Sequence, residues 1–393
     1  MEPEVDPILS PNPEAQPSIQ ADRMHGIAAS DSSFGAGPEP EPYRGLQWIF
    51  IGDGGLRAGW SVSIFFPLLV AMALGFGTLF AKLHLTGERG DLSAKTALFG
   101  EGAAFLAMIG AAWIVSLIER RRIVDYNLTG PQRVSHFFWG MVAGFIALSA
   151  LVGALNLGGW LQFGPVSLSG IDILTYAGMW GAAFLIVGCV EEGIMRCYLL
   201  FTLARGINFW WAIGLIAAMC GSLIFRVKGN GAWGVYGMAL LGLVPCLLLF
   251  LKKSPSGGFW YAAWVTSTFF GFGHTSNNGE NWIGIFAAGA IGFVFCVSVK
   301  VTGSAWWAIG CHAAWDWAET YFYGTADSGL QAKGHLLTTT PVGAAFWSGG
   351  TDGPEGSVLV LGIILLLLVA VLAIYGRRRP ESLPAPALGQ AAD

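Results

Sequence analysis

Residues 180–200 read Trp180-Gly-Ala-Ala-Phe-Leu-Ile-Val-Gly-Cys-Val-Glu191-Glu192-Gly-Ile-Met-Arg196-Cys-Tyr-Leu-Leu200. The run is apolar enough to be a buried helix, yet it carries two adjacent acids and a base. An ionised side chain at the centre of a bilayer costs ~2.5–3.5 kcal/mol on insertion scales and more in simulations. Residues of this kind face a bundle interior and mark function. One stretch therefore sets two expectations: a helix inside a membrane, and a polar site inside the helix bundle.

The rest of the chain has the same character. It has 393 residues, 54% hydrophobic and only 12% charged, against ~25% charged in a soluble domain. Apolar runs of roughly 18–22 residues are long enough to cross ~30 Å of hydrocarbon as helix. They are continuous rather than alternating, which disfavours barrel strands. The expected fold is all-α: a polytopic transmembrane helical bundle of about ten helices with disordered termini. The spans are expected near 61–81, 97–118, 137–157, 174–200, 209–225, 232–251, 258–275, 283–301, 304–323 and 357–375.

The expected organisation follows. Residues 1–43 are rich in Pro, Glu, Asp and Ser and read as a disordered acidic tail rather than a signal peptide. Residues 44–173 hold N-terminal transmembrane helices. Residues 174–323 hold the polar clusters, with an inserted hairpin near 209–251. Residues 324–379 give a Gly- and Thr-rich loop, a cap or a disordered segment, followed by the last helix, and 380–393 a second tail. Placing the N-terminus inside puts Arg120, Arg121, Arg122, Arg133, Arg205, Lys252, Lys253 and Lys300 on the cytoplasmic side, and Lys82, Lys95 and Lys333 opposite. That bias fits the positive-inside rule with both termini cytoplasmic. Trp60, Trp210, Trp211, Trp260, Trp306 and Trp307 fall near helix ends, as interface anchors do.

Composition excludes some classes. The net charge of −4 carries no basic stripe, so a nucleic-acid partner has no support. The six cysteines lie in or beside apolar segments without a C-x-x-C pair and read as small core residues.

Three polar clusters carry the chemistry. In the first, Glu192 and Arg196 are four apart and share a helix face, so they can pair. Glu191 points about 100° away and stays free for proton transfer; the alternative is a structural ion pair. The second is Phe269-Phe270-Gly271-Phe272-Gly273-His274, followed by Asn277, Asn278 and Glu280 in a short polar loop. A lone His at a helix end is more often a satisfied interfacial residue than a functional one. The third runs from Trp306 to Asp316: His312 and Asp316 are four apart and Glu319 lies seven from His312, giving one polar stripe. The alternative there is interhelical glue, ~0.6 kcal/mol per contact. His and carboxylate ligands would suit zinc, but no H-E-x-x-H is present, and no G-x-S-x-G stands out.

The three clusters, in order, resemble the CPBP family of intramembrane proteases, which includes CAAX prenyl proteases and bacteriocin-processing relatives. That family carries E-E-x-x-x-R, F-x-x-x-H and H-x-x-x-N or D. Here these match Glu191-Glu192-x-x-x-Arg196, Phe270-x-x-x-His274 and His312-x-x-x-Asp316. The resemblance covers about residues 174–323 and implies an intramembrane endopeptidase of the glutamic type. Glu191 and His274 would activate a water, and His312 and Asp316 would hold the tetrahedral intermediate. Glu192 and Arg196 would position the site, with Phe270 and Glu319 in support. The family was long described as metalloproteases; a glutamate-activated water needing no metal is the favoured reading, so no cofactor is expected and zinc lacks a specific motif. The implied substrate is a membrane-embedded or lipid-modified peptide or protein in a lipid bilayer; the composition looks bacterial, so the expected location is a bacterial inner membrane.

Three departures stand out. Cys197 replaces a common Gly, Asp316 replaces the commoner Asn, and nearly eighty residues separate Arg196 from His274. An Asn donates a hydrogen bond to an oxyanion, whereas an Asp does so only when protonated. The expected topology also sets Glu191 toward the inner side and His274 near the outer end, so convergence of the clusters would require one span fewer between 209 and 275. Two other functions fit the composition: a non-catalytic scaffold or immunity-type binding protein of the same fold, and a proton-coupled transporter, for which Glu101 supplies a further intramembrane acid.

Overall fold

The computed structural model describes residues 46–376, apart from 53–54, 86–92, 226–230, 255, 278, 328 and 330. The expected tails at 1–43 and 380–393 lie outside the described residues, as does Asn278.

Each expected span coincides with a helix. In chain order these are α1 (Ala58–Lys82), α2 (Ala94–Ile118), α3 (Arg133–Leu157) and α4 (Ile171–Glu192). The last runs on through a π-helical segment, Gly193–Leu199, to Ala204. Then come α5 (Phe209–Ile224), α6 (Gly231–Leu251), α7 (Gly257–His274) and α8 (Trp282–Thr302). α9 (Trp306–Trp317) continues as a second π segment, Ala318–Tyr323, and α10 spans Leu359–Tyr375.

Local chemistry sets several helix starts. Ser93 and Thr96 form a reciprocal capping box before α2. Asn208 caps α5 by accepting from Trp211 N, and Asn281 caps α8 by accepting from Ile283 N and Gly284 N.

By length and composition, α1, α2, α3, α4 with its extension, α6 and α8 can each cross a membrane, while α5 and α10 are apolar but shorter. The expected all-α bundle of about ten helices with apolar spans forms. α7 and α9 carry Ser, Thr, His and Asp among their apolar residues and lie inside the bundle, with most of their residues buried.

All three helices between Arg205 and His274 form, but only α6 among them is long and apolar enough to cross a membrane, and Glu191 and His274 line one cavity. The extended α4 has 34 residues, about 51 Å at 1.5 Å per residue, so it exceeds the hydrocarbon thickness and residue counting along it does not fix depth.

Among the described residues, strand is confined to loops. Leu161–Val166 (β1) pairs antiparallel with Leu337–Pro341 (β2), with Leu161 opposite Pro341 and a shift of register between Phe163 and Val166. Trp160 stacks on Trp347 beside this ribbon, ring centroids 5.0 Å apart. The described residues of 324–356 thus form a cap, with Leu336 N donating to Tyr321 O and Val342 N to Trp160 O. Of the expected interface tryptophans, Trp60, Trp210 and Trp211 are exposed, whereas Trp307 is buried against Phe295 in the core. The six cysteines are free, all but Cys189 fully buried.

Candidate active site

Glycine brings α9 into the centre. Gly140 and Gly144 of α3, four apart, face the α9 backbone at Trp307 and Cys311, where a Cβ would collide with the carbonyl oxygens. Gly310 on α9 answers them against the Phe137 carbonyl. On the other side, a Cβ at Gly188 of α4 would sit 3.0 Å from Ile309 O. Small residues at this spacing let helix backbones approach within the membrane. α9 is thereby fixed between α3 and α4, and His312 is held opposite the two acids.

Glu192 and Arg196 pair as the spacing predicts, with Nη1 3.1 Å from Oε1 and both side chains fully buried. The pair is not isolated. The same Glu192 oxygen lies 2.9 Å from His312 Nδ1. His312 Nε2 is 3.7 Å from Glu191 Oε2 and 3.5 Å from Asp316 Oδ2. His312 is thus flanked by three carboxyl groups: a buried one that orients its ring and two that face the cavity. Glu191 is the more open acid, with 38% of its side chain exposed. The π segment begins directly after Glu192 and contains Arg196, a local widening common at functional sites.

Two aromatic rings complete the interior. The Arg196 guanidinium lies 4.5 Å from the Phe270 ring centroid and 5.3 Å from that of Phe295. Phe295 stacks on His312 at 5.8 Å, and Phe270 meets His312 edge-on at 5.9 Å and His274 at 4.8 Å. Phe270 therefore touches a residue of each of the other two clusters. Gly292 leaves the room Arg196 needs: a Cβ there would stand 2.7 Å from Nη2. Phe295 and Gly292 were not picked out by sequence reasoning, because nothing distinguishes them from other residues of an apolar helix.

His274 Nδ1 lies 2.9 Å from Phe270 O. A carbonyl only accepts, so Nδ1 carries the hydrogen, and in the neutral ring Nε2 keeps its lone pair.

Glu191, Phe270, His274, His312 and Asp316 all line one cavity of about 300 Å³. Glu192 and Arg196 sit behind it. Glu101 on α2 lines it as well. Glu319, expected as a supporting residue on the same stripe, does not line the cavity; it is buried against the cap, accepting from Trp315 Nε1 at 3.1 Å. Asp327 and Glu355 of the cap, both missed in the sequence, line the cavity with Asn277. Beyond them, Asn277 donates to Glu280, and Asn281 N donates to Asp352. Burial, with the neighbouring Asp352 and Glu355 charges, pushes the Glu280 carboxyl up to about 9. Burial and the Glu355 charge push Asp327 to about 7, and burial with the Glu355 and Asp327 charges lifts Asp352 to about 8.

Comparison with known proteins bears on the same residues. The family model described as type II CAAX prenyl endopeptidase Rce1-like matches residues 246–318. The match contains Phe270, His274, His312 and Asp316 and bears out the resemblance carried by the motifs. Glu191, Glu192 and Arg196 lie ahead of it and are brought in by the fold. The chain is also 32% identical over 135 residues to an NADH-quinone oxidoreductase subunit of Koribacter versatilis (strain Ellin345). That alignment covers 34% of this chain, and the chain spans 26% of the length of that relative. No solved structure matches.

Proposed function

From a chain that carries a type II CAAX prenyl endopeptidase Rce1-like segment at residues 246–318, we propose an intramembrane endopeptidase of the glutamic type. It hydrolyses a peptide bond in a membrane-embedded or lipid-modified substrate. The observation that carries this reading is convergence: Glu191, His274, His312 and Asp316 come from three separate helices to line one cavity.

In this reading a water sits between Glu191 and His274. Glu191 takes its proton while the oxygen attacks the peptide carbonyl carbon, and the His274 Nε2 lone pair accepts a hydrogen bond that holds the water in line. Negative charge then develops on the carbonyl oxygen. His312, protonated on both nitrogens, donates from Nδ1 to Glu192 and from Nε2 to that oxygen, and protonated Asp316 supplies a second donor. The proton held by Glu191 passes to the amide nitrogen, the C–N bond breaks, and an amine and a carboxylic acid leave, the acid giving its remaining proton to water. No step requires a metal. The buried Arg196 holds Glu192 in place and touches no reacting atom. The chain would work in a bacterial inner membrane with both termini cytoplasmic.

The test compares membrane-protein termini by mass spectrometry in host cells expressing the wild-type chain or Glu191→Gln at equal levels. New termini seen with the wild type alone support the protease and identify its substrate. Identical termini from two folded, equally abundant proteins reject hydrolysis and favour the non-catalytic scaffold.

A further inference from the structure

Beside the cavity, which Asp327 and Glu355 line, three carboxyl groups converge from two parts of the chain. Glu319 comes from the π segment of α9, and Asp327 and Glu355 come from the cap. One oxygen of each lies within 4.8 Å of the others. Glu319 is fully buried, and its Oε1 is buried without a hydrogen-bond partner. Its other oxygen accepts from Trp315 Nε1 at 3.1 Å, and the same N–H reaches Glu355 Oε1 at 2.7 Å. One Asp327 oxygen accepts from Thr320 Oγ1. Among the described residues, no Lys or Arg forms an ion pair with Glu319 or Asp327.

A buried carboxylate oxygen with no donor costs ~1–3 kcal/mol or more. Three carboxyl groups in one place are stable when a counter-charge or shared protons offset them. We propose that Glu319, Asp327 and Glu355 bind a hard divalent cation of calcium size, separate from the catalytic cluster. Oxygens on a common calcium ion lie ~2.3–2.6 Å from it, so any two stand less than about 5 Å apart, which the trio satisfies. The donors are all oxygen, a set that suits calcium or magnesium and is less suited to zinc, which prefers nitrogen and sulfur. Trp315 fixes two of the three ligands. The cation would pin the cap to α9 beside the cavity. Its binding does not depend on whether the cavity hydrolyses peptides.

Trp315 makes the site self-reporting. Terbium(III), which substitutes for calcium, emits when excited through an indole at this range. The full chain in nanodiscs is titrated with terbium under tryptophan excitation, then competed with calcium, magnesium and zinc. The expected result is saturable emission displaced by calcium at lower concentration than by magnesium or zinc. It should fall at least fivefold in Trp315→Phe and in Asp327→Asn. Asp327→Asn, a loop side chain of intermediate burial, serves if Glu319→Gln fails to fold. Calcium should also raise the melting temperature of the wild type and leave that of Asp327→Asn unchanged. Absence of saturable emission overturns the proposal. So does emission that persists in both variants, which reports an adventitious ion only, such as one beside another of the 17 tryptophans. Displacement by zinc ahead of calcium overturns the hard-cation assignment.

Discussion

His312 and Glu192 stand 120 residues apart in sequence and meet at 2.9 Å through Nδ1 and Oε1. The same carboxylate oxygen takes Arg196 at 3.1 Å. One fully buried acid therefore does two things: it neutralises a buried guanidinium and fixes the ring that faces the cavity. Glu191, its neighbour in sequence, is partly open to that cavity. The ~100° step between these adjacent residues leaves one acid fully buried and the other open to the cavity.

This division predicts opposite behaviour for two conservative changes. Glu192→Gln leaves Arg196 buried without its partner, and breaking a buried pair costs ~3–5 kcal/mol. Its melting temperature should drop sharply. Glu191→Gln should melt close to the wild type while losing the proteolytic activity. Thermal unfolding of both variants in the same detergent, read beside the terminal analysis, checks this. Equal stability losses would mean that the roles are not divided.

Gly292 tests the space around Arg196. A Cβ at that position would crowd Nη2 at 2.7 Å. Overpacking of this kind costs ~1–3 kcal/mol. Gly292→Ala should lower both the melting temperature and the activity, since the guanidinium cannot move without disturbing Glu192. If activity and melting temperature both stay at wild-type level, the packing argument fails.

Gly144 tests the seat of α9. A methyl group there meets the Cys311 carbonyl, one residue from His312. Displacing a catalytic group by about 1 Å can cost ~10²-fold in rate, and Gly144→Ala should show a loss of that order. Gly153, on the same helix, has open space around it. Gly153→Ala should keep full activity and gain ~0.5–1 kcal/mol of helix stability. Cleavage assays on the two variants side by side decide the point; equal activity would remove α3 from the argument.

The Glu280–Asp352 pair predicts a pH dependence. A Cβ at Gly284 would touch a carboxyl oxygen of each, which places the two acids side by side. Their carboxyls are raised to about 9 and about 8, by burial first and then by neighbouring negative charge. A carboxyl raised in the folded state contributes its stability at low pH. It loses that stability as pH climbs from the ordinary carboxylate range through the raised value. In chelator-treated protein the melting temperature should therefore fall between pH 6 and pH 9, and Asp352→Asn should flatten the fall. A melting temperature that is constant over this range in the wild type contradicts the assignment.

Much of the molecule was legible without coordinates. The apolar runs fix helices because a long apolar segment must satisfy its own backbone in lipid. The i, i+4 spacings of Glu192 with Arg196 and of His312 with Asp316 announce two same-face pairs, and both pairs occur. Three short motifs in order were enough to suggest the family whose model matches 246–318. Harder to read was which helices form the centre of the bundle: α7 and α9, the more polar ones, are mostly buried.

What the sequence by itself determined is the set of helices, the placing of acids and histidines on particular helix faces, and the resemblance they carry. These depend on local periodicity and on the cost of polar groups in hydrocarbon, which act within a few turns of chain. Only the tertiary structure decided that His312 is bound to Glu192 rather than to Asp316 alone, that Phe295 and Gly292 enclose Arg196, and that Glu319 turns to meet Asp327 and Glu355 of the cap. Those relations depend on which backbones come close. That is governed by single glycines, two π segments and the packing of helices far apart in sequence, and none of these leaves a periodic trace along the chain.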